Sequence, residues 1–373
     1  MTTDRAKDKA KNPKARIGRP ELESHKMTAF VLVRLMTAGA LLAAVAGPAL
    51  AQAPKPWKHG IIAPKADAGF LLMAAKRGFA EKEGLKLELL EVKDDQIGLK
   101  ALLSGELDSY EGGVQGAIAV NVRGGDVKIM GCHWVVVPHG IMAKAGIDKI
   151  EDLKGRAVAV SAPGSFPDML ARLALAKFKI APSEVKLAAV GGDRDRYTAL
   201  VGGVVDAAVV SNEYLPLESS KGLKMLLEGK DALPNFLRIC MFSSAKVLAE
   251  RREDAIRFLT AQSKALRYAL GHRDETVALT VEATAAKAND PRPAFVFDDA
   301  VKVGAIAPDL PLPMDKLSWM QDQMVELGQI PKASPRWSTT TSVHKRWNAP
   351  ASRRGDQTGE PDVSRWSSKG ANA

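Results

Sequence analysis

The sequence predicts an α/β protein of two lobes, each a doubly wound, mostly parallel sheet, on three observations. Strand-like and helix-like runs alternate from about residue 57 to about residue 330. Helical runs there end at glycine, the residue best suited to a left-handed helix cap. The second half of the stretch also repeats the plan of the first. In order, 57–63 reads as a strand and 69–82 as an amphipathic helix stopped by Gly84, and 85–92 (LKLELLEV) alternates like a strand. A helix over 96–103 ends at Gly105, a short strand follows at 107–110, and a helix over 114–123 closes at Gly124-Gly125 before a strand over 127–137. The second half offers a short helix at 152–154, strands at 157–161, 185–190 and 206–210, and helices at 167–178 and 197–201. Strands separated by helices of this length imply right-handed βαβ units with helices on both sheet faces.

An internal echo supports duplication. Residues 101–108 (ALLSGELD) and 199–206 (ALVGGVVD) both read A-L-x-x-G-x-(L/V)-D, a helix ending in glycine with a strand directly after it. Two α/β lobes of one plan enclose a cleft, and ligands of open parallel sheets sit beyond the carboxyl ends of the strands.

Charge and the chain ends narrow the function. Residues 35–46 (LMTAGALLAAVA) form an apolar run with Lys26 and Arg34 upstream and Gly47-Pro48 and Ala49-Leu50-Ala51 downstream. That order is a secretory signal peptide with cleavage near Ala51, and the run falls short of the roughly 20 residues of a membrane span. Met27 is the expected start. Of the formal charge of +10, residues 1–51 and residues 332–373 carry +5 each, so 52–331 is neutral. Phosphate-backbone binding needs clustered cations in the body, so nucleic acid is not an expected partner. From Ser334 the chain is Ser/Thr/Arg/Gly-rich without apolar period and is expected to be disordered. Cys132 and Cys240 each lie in an apolar, strand-like run and are expected to be reduced core cysteines. No C-x-x-C or Cys/His grouping has metal spacing, so neither metal nor cofactor is expected.

At this point a resemblance carries further. Ala74-Ala75-Lys76-Arg77-Gly78-Phe79-Ala80-Glu81-Lys82-Glu83-Gly84-Leu85 resembles the A-x-x-x-G-F/Y-F-x-x-E-G-L signature of nitrate/taurine/sulfonate-type solute-binding proteins of ABC importers, which are related to thiamine-pyrimidine synthases. Further matches in the right order are 101–108, 150–160 (IEDLKGRAVAV), 162–165 (APGS) and 199–207. The resemblance implies a type II periplasmic-binding-protein fold. Lobe one would be 52–145 with 240–331, lobe two 146–239, and the hinge would lie near 143–149 and 235–240. It also implies a periplasmic monomer that takes a small-molecule ligand and an ABC permease as partners. The tail departs from the family, whose members end soon after a G-x-I like that at 328–330.

The strand-end segments supply the candidate site. Ser161, Gly164, Ser165 and Phe166 follow a buried strand and open a helix, where free N–H groups and hydroxyls suit a carboxylate, sulfonate or nitrate. Opposite them, the loop after the first strand holds Asp67, with capping its first expected role, and leads to Phe70. Tyr110, Glu111 and Gly112 follow the third strand, where glycine permits close ligand approach. Of His133 and Trp134, which point to opposite faces in a strand, Trp134 is the expected pocket wall. Asn212, Glu213 and Tyr214 follow a buried strand of the second half, and Arg194 is placed to pair with an acidic ligand. Glu111 and Glu213 would oppose an anion that the helix N-termini favour, and the sequence leaves this conflict open.

Binding without chemistry, by hinge closure around a solute, is the leading expectation. An enzyme on the same fold is the alternative. Against it stand the absence of G-x-S-x-G, H-E-x-x-H and G-x-x-x-x-G-K, and of the cysteine-rich segment of the pyrimidine synthases. A ligand-presenting sensor module is a third reading that the sequence does not separate from an importer component.

Overall fold

The structure, a computed structural model, describes residues 55–332. The expectations about the leader, its cleavage and the C-terminal tail lie outside the described residues. Ten strands form two sheets: β1 (Trp57–Ile62), β2 (Leu87–Val92), β3 (Ser109–Gly112), β4 (Val127–Trp134), β5 (His139–Ala143), β6 (Ala157–Val160), β7 (Lys186–Ala189), β8 (Ala207–Ser211), β9 (Lys224–Glu228) and β10 (Ile239–Ser244). The first sheet runs β2-β1-β3-β10-β4 and the second β7-β6-β8-β5-β9. In each, a parallel trio (β2-β1-β3 or β7-β6-β8) meets one antiparallel strand, followed by a last strand antiparallel to that one. Four strands of each sheet therefore point one way and one points the other. The odd strand is always the one that has just arrived from the other lobe: β5 enters the second sheet from β4, and β10 enters the first from β9. The two sheets are topological copies, as the ALLSGELD/ALVGGVVD echo suggests. Both echo glycines, Gly105 and Gly203, take left-handed φ values of 81° and 71°, turning a helix directly into a strand.

The first crossing needs correction. The sequence reads 127–137 as one strand and places the hinge at 143–149, yet β5 pairs with β8 and β9 inside the second sheet. The chain therefore crosses at 135–138, where Pro138 ends the run because it cannot donate to a ladder. The return passes through 229–238.

One face of the first sheet packs against helices Ala68–Lys76, Arg252–Gly271, Arg273–Thr284 and Arg292–Lys302, around Trp57, Phe70, Met73, Phe258 and Phe297. The other face carries Tyr110, Ile129 and Phe242 under helices Asp95–Ser104, Val114–Val122 and Met314–Glu326, and that core continues past the crossing segments to helix Phe166–Lys177 of the second lobe. Helix Asp193–Val201 covers the second sheet's remaining face through Tyr197 and Leu200.

Cys132 and Cys240 are not reduced: they form a disulfide. Their separation of 108 residues hides from the sequence that β4 and β10 pair with Cys132 opposite Cys240. The Cys132 N–H points away from β10, to Pro311 O at 2.9 Å. The two cysteines thus face each other as a non-hydrogen-bonded pair, where cross-strand side chains come closest.

Phe258 is fully buried and stacks on Trp57 at 5.5 Å and against His59 at 4.8 Å between ring centroids. Phe258→Ala should cost about 3–5 kcal/mol of unfolding free energy, measured by urea denaturation, because the rings on β1 cannot collapse into the void.

Candidate ligand-binding cleft

The carboxyl ends of the strands of both lobes converge on one seam. From lobe one, the turn after β1 brings Lys65, Ala66 and Asp67. From lobe two come Asp193, at the start of its helix, and Asn212-Glu213-Tyr214 after β8. Three polar contacts join the lobes here. Lys65 Nζ lies 3.5 Å from Asp193 Oδ2, Ala66 N donates to Glu213 Oε2 at 3.4 Å, and Asn212 Nδ2 donates to Asp299 Oδ2 at 2.6 Å from helix Arg292–Lys302. Asp193 and Glu213 are both buried, as charges are only when paired or neutralised.

Asp193 is held by Arg196, whose Nη2 donates to Oδ1 at 2.6 Å. The remaining Arg196 donors reach Val209 O, Ser161 Oγ and Gly191 O at 2.6–2.7 Å, which ties the carboxyl ends of three strands together. Burial alone would raise the Asp193 carboxyl, but Lys65, His139 and Arg196 outweigh it and bring it to about 2. His139, at the start of β5, lies with Nε2 3.9 Å from Asp193 Oδ2 and its ring edge-on to Phe166 at 4.8 Å. Burial holds its imidazole well below the usual range, with Arg238, Lys65 and Arg196 acting in the same direction against the pull of Asp193.

Asp67 makes no cap hydrogen bond to the helix it precedes, contrary to the capping role expected of it. Its carboxylate instead accepts from Arg238 Nη2 at 2.5 Å, and the guanidinium lies over the Trp134 ring at 4.2 Å. Trp134 is further walled by Phe70, edge-on at 5.9 Å, with Phe297 stacked on Phe70 at 5.3 Å. Among the described residues, Trp134 Nε1, Arg238 Nη1, His139 Nδ1 and Asp193 Oδ2 are buried without a hydrogen-bond partner. A groove lined by Trp134, Pro138, His139, Asn212, Asp299 and Lys230, among others, runs beside them.

The loop favoured for an anion is largely occupied by the chain itself. Ser165 caps the helix by accepting from Asp168 N at 3.4 Å, and Gly164 N donates to Asp168 Oδ2 at 2.9 Å. Ser161 Oγ donates to Gly191 O at 2.8 Å. A carboxylate already sits at that helix start, leaving little room for a second anion.

The other expected residues divide. Tyr110 turns into the lobe-one core and its hydroxyl donates to Asp95 Oδ1 at 2.6 Å. Gly112 is needed for that contact, since a Cβ there would lie 2.3 Å from the same oxygen. Glu111 is buried between two histidines, with its Oε2 3.0 Å from His133 Nε2 and 3.6 Å from His59 Nε2. Burial would raise that carboxyl too, and the two imidazoles bring it to about 2. Arg194 is exposed, whereas Arg196, two residues on, is buried. Tyr214 stacks on Tyr197 at 4.1 Å. Lys65, His139, Arg196 and Arg238 were missed. Only Arg196 had a signal, because Asp193, Arg196, Tyr197 and Leu200 share one buried face at helical spacing.

The family described as NMT1/THI5 like matches residues 65–276, more than half of the chain. The chain belongs to this family. A Haemophilus influenzae relative named "Putative thiamine biosynthesis protein" is 25% identical over 278 residues, covering 72% of this chain and 85% of that protein. A Bacillus subtilis relative named "Putative aliphatic sulfonates-binding protein" is 27% identical over 252 residues, covering 62% and 74%. The structure of the periplasmic aliphatic sulphonate binding protein of Escherichia coli superposes with a TM-score of 0.63 at 20% identity, covering 75% of this chain and 95% of that one. This likeness shows the two-lobed periplasmic-binding fold.

One residue of the NMT1/THI5-like seam titrates near neutrality. Burial pushes the Glu213 carboxyl up, the Asp193 charge adds to it, Lys65 offsets part, and it comes to about 7. The folded protein then holds a proton that the unfolded chain releases above about 4.5, so the Glu213 contribution falls as pH rises from about 4.5 to 7. The difference amounts to roughly 3 kcal/mol. His139, lowered by burial, works in the opposite sense below its ordinary value of 6.5. Comparison with Glu213→Gln isolates the effect: the variant should gain stability on the wild type between pH 5 and 8, by urea unfolding, and a constant difference would refute the assignment.

Proposed function

We propose that this chain is the extracytoplasmic solute-binding component of an ABC importer, holding a small solute between its lobes without altering it. The observation that carries the reading is the seam itself. Polar groups of both lobes meet at the strand ends, and among the described residues two buried donors there, Trp134 Nε1 and Arg238 Nη1, have no hydrogen-bond partner. Buried polar groups are normally satisfied, so such donors suit an oxygen-rich guest. The sulfonate named for the Bacillus subtilis and Escherichia coli proteins is one such group, and a carboxylate is chemically close. Arg238 and Trp134, rather than the helix start at Ser161–Ser165, are the proposed contacts for the anionic end.

A thermal-shift panel of taurine, 1-butanesulfonate, nitrate, simple carboxylates and a pyrimidine heterocycle tests the reading. A true ligand at 100 times its Kd should add about 2.7 kcal/mol and raise Tm by several degrees. Mass spectrometry should recover the ligand chemically unchanged. A transformed product would support the enzymatic reading that the Haemophilus influenzae name suggests, and no shift with any class would overturn the proposal. The exported protein should begin near residue 52 in an osmotic-shock fraction, and recovery only with the cytosol would contradict the placement.

A further inference from the structure

We infer that the Cys132–Cys240 disulfide is a positioning link for the ligand site: it fixes the register that seats Arg238 on Trp134. The role in ligand binding rests on the function proposed above; the positional claim does not. Three observations carry it. First, the cystine and the ring lie on one strand pair, and the cation immediately precedes its second strand. Trp134 lies two residues after Cys132 and Arg238 two residues before Cys240, Ile239 is opposite Trp134, and Arg238 N donates to Trp134 O at 3.3 Å. Second, the β10–β4 ladder is irregular on both sides of Cys240, with register shifts between Ile239 and Cys240 and between Met241 and Phe242. At such irregularities the ladder is locally disrupted and leaves hydrogen bonds unmade, and a slip of one residue would send alternate side chains to opposite faces. Third, β10 is the strand returning from the second lobe, so movement of that lobe pulls on this ladder first. A covalent bond between the two irregular points resists the slip where hydrogen bonds do so least.

Arg238 needs that help. Its guanidinium is held by Asp67 from another loop and by the Trp134 face, while Nη1 has no partner. Freeing β10 by one residue would detach Arg238 from both supports and withdraw its unpartnered donor from the seam.

The test compares oxidised wild type, wild type reduced with TCEP, Cys132→Ala/Cys240→Ala, and oxidised Arg238→Gln. Circular dichroism checks folding, and hydrogen exchange is read peptide by peptide. Loss of the disulfide should speed exchange at least tenfold in 132–136 and 236–241, with β1, β6 and β8 unchanged. Arg238→Gln should keep the slow exchange. Affinity for 1-butanesulfonate and taurine should fall at least tenfold in all three altered proteins. Uniformly faster exchange, unfolding of both disulfide-free forms, or unchanged exchange in 236–241 would each overturn the positional claim, leaving a general stabiliser. If oxidised wild type binds neither probe, the proposed ligand class fails, and exchange alone decides the positional claim.

Discussion

The structure depends on one topological constraint: each sheet contains an antiparallel strand delivered by the other lobe. β5 enters the second sheet and β10 enters the first, so the second sheet forms only after the chain has crossed once and the first only after it has crossed back. Two short crossings join the lobes, so the chain ties them together at one end of their sheets. They also fix where the strand ends meet. Because each parallel trio points its carboxyl ends toward the crossings, the loops after β1 and β8 and the start of helix Asp193–Val201 face one another.

What those loops bring together is charge, and its arrangement determines what the seam can do. Asp193 is stabilised as an anion by Arg196 from its own helix and by Lys65 from the other lobe. Asp67 and Arg238 form a second pair, joined to the aromatic wall through Trp134. With these four groups matched, Lys65 of one lobe stands with the Asp299 and Glu213 carboxyls, and Glu213 comes near neutrality because burial and Asp193 oppose its ionisation. The conflict between acidic residues and helix starts is therefore resolved by partners. Glu111 is answered by His133 and His59 inside lobe one, and the Ser165 helix start is occupied by Asp168.

Much of the fold was legible because its signals are local. Alternating runs, glycine stops such as Gly105 and Gly203, and the repeated eight-residue joint each lie within a short window. The site was less so, since its contacts are not. Asp67 and Arg238 are 171 residues apart, and nothing near Asp67 indicates that an arginine will take the role a helix cap would otherwise have. The cysteines illustrate the same limit: each sits in a run that suits a buried thiol, and only the pairing of β4 with β10 makes them neighbours. β5 was misplaced because an apolar run after Pro138 can belong to either sheet, and its partners β8 and β9 follow much later.

The most direct test of a hinge between two lobes is a distance across the mouth of the cleft. Glu91 on β2 and Ala189 on β7 are exposed, near the carboxyl ends of equivalent edge strands, and suit spin labels. Pulsed electron paramagnetic resonance should show more than one separation, with Asp193→Asn, which weakens the Lys65 contact, enriching the longer. A single separation, indifferent to that substitution and to every solute tried, would mean that the lobes form one rigid body and would contradict the account.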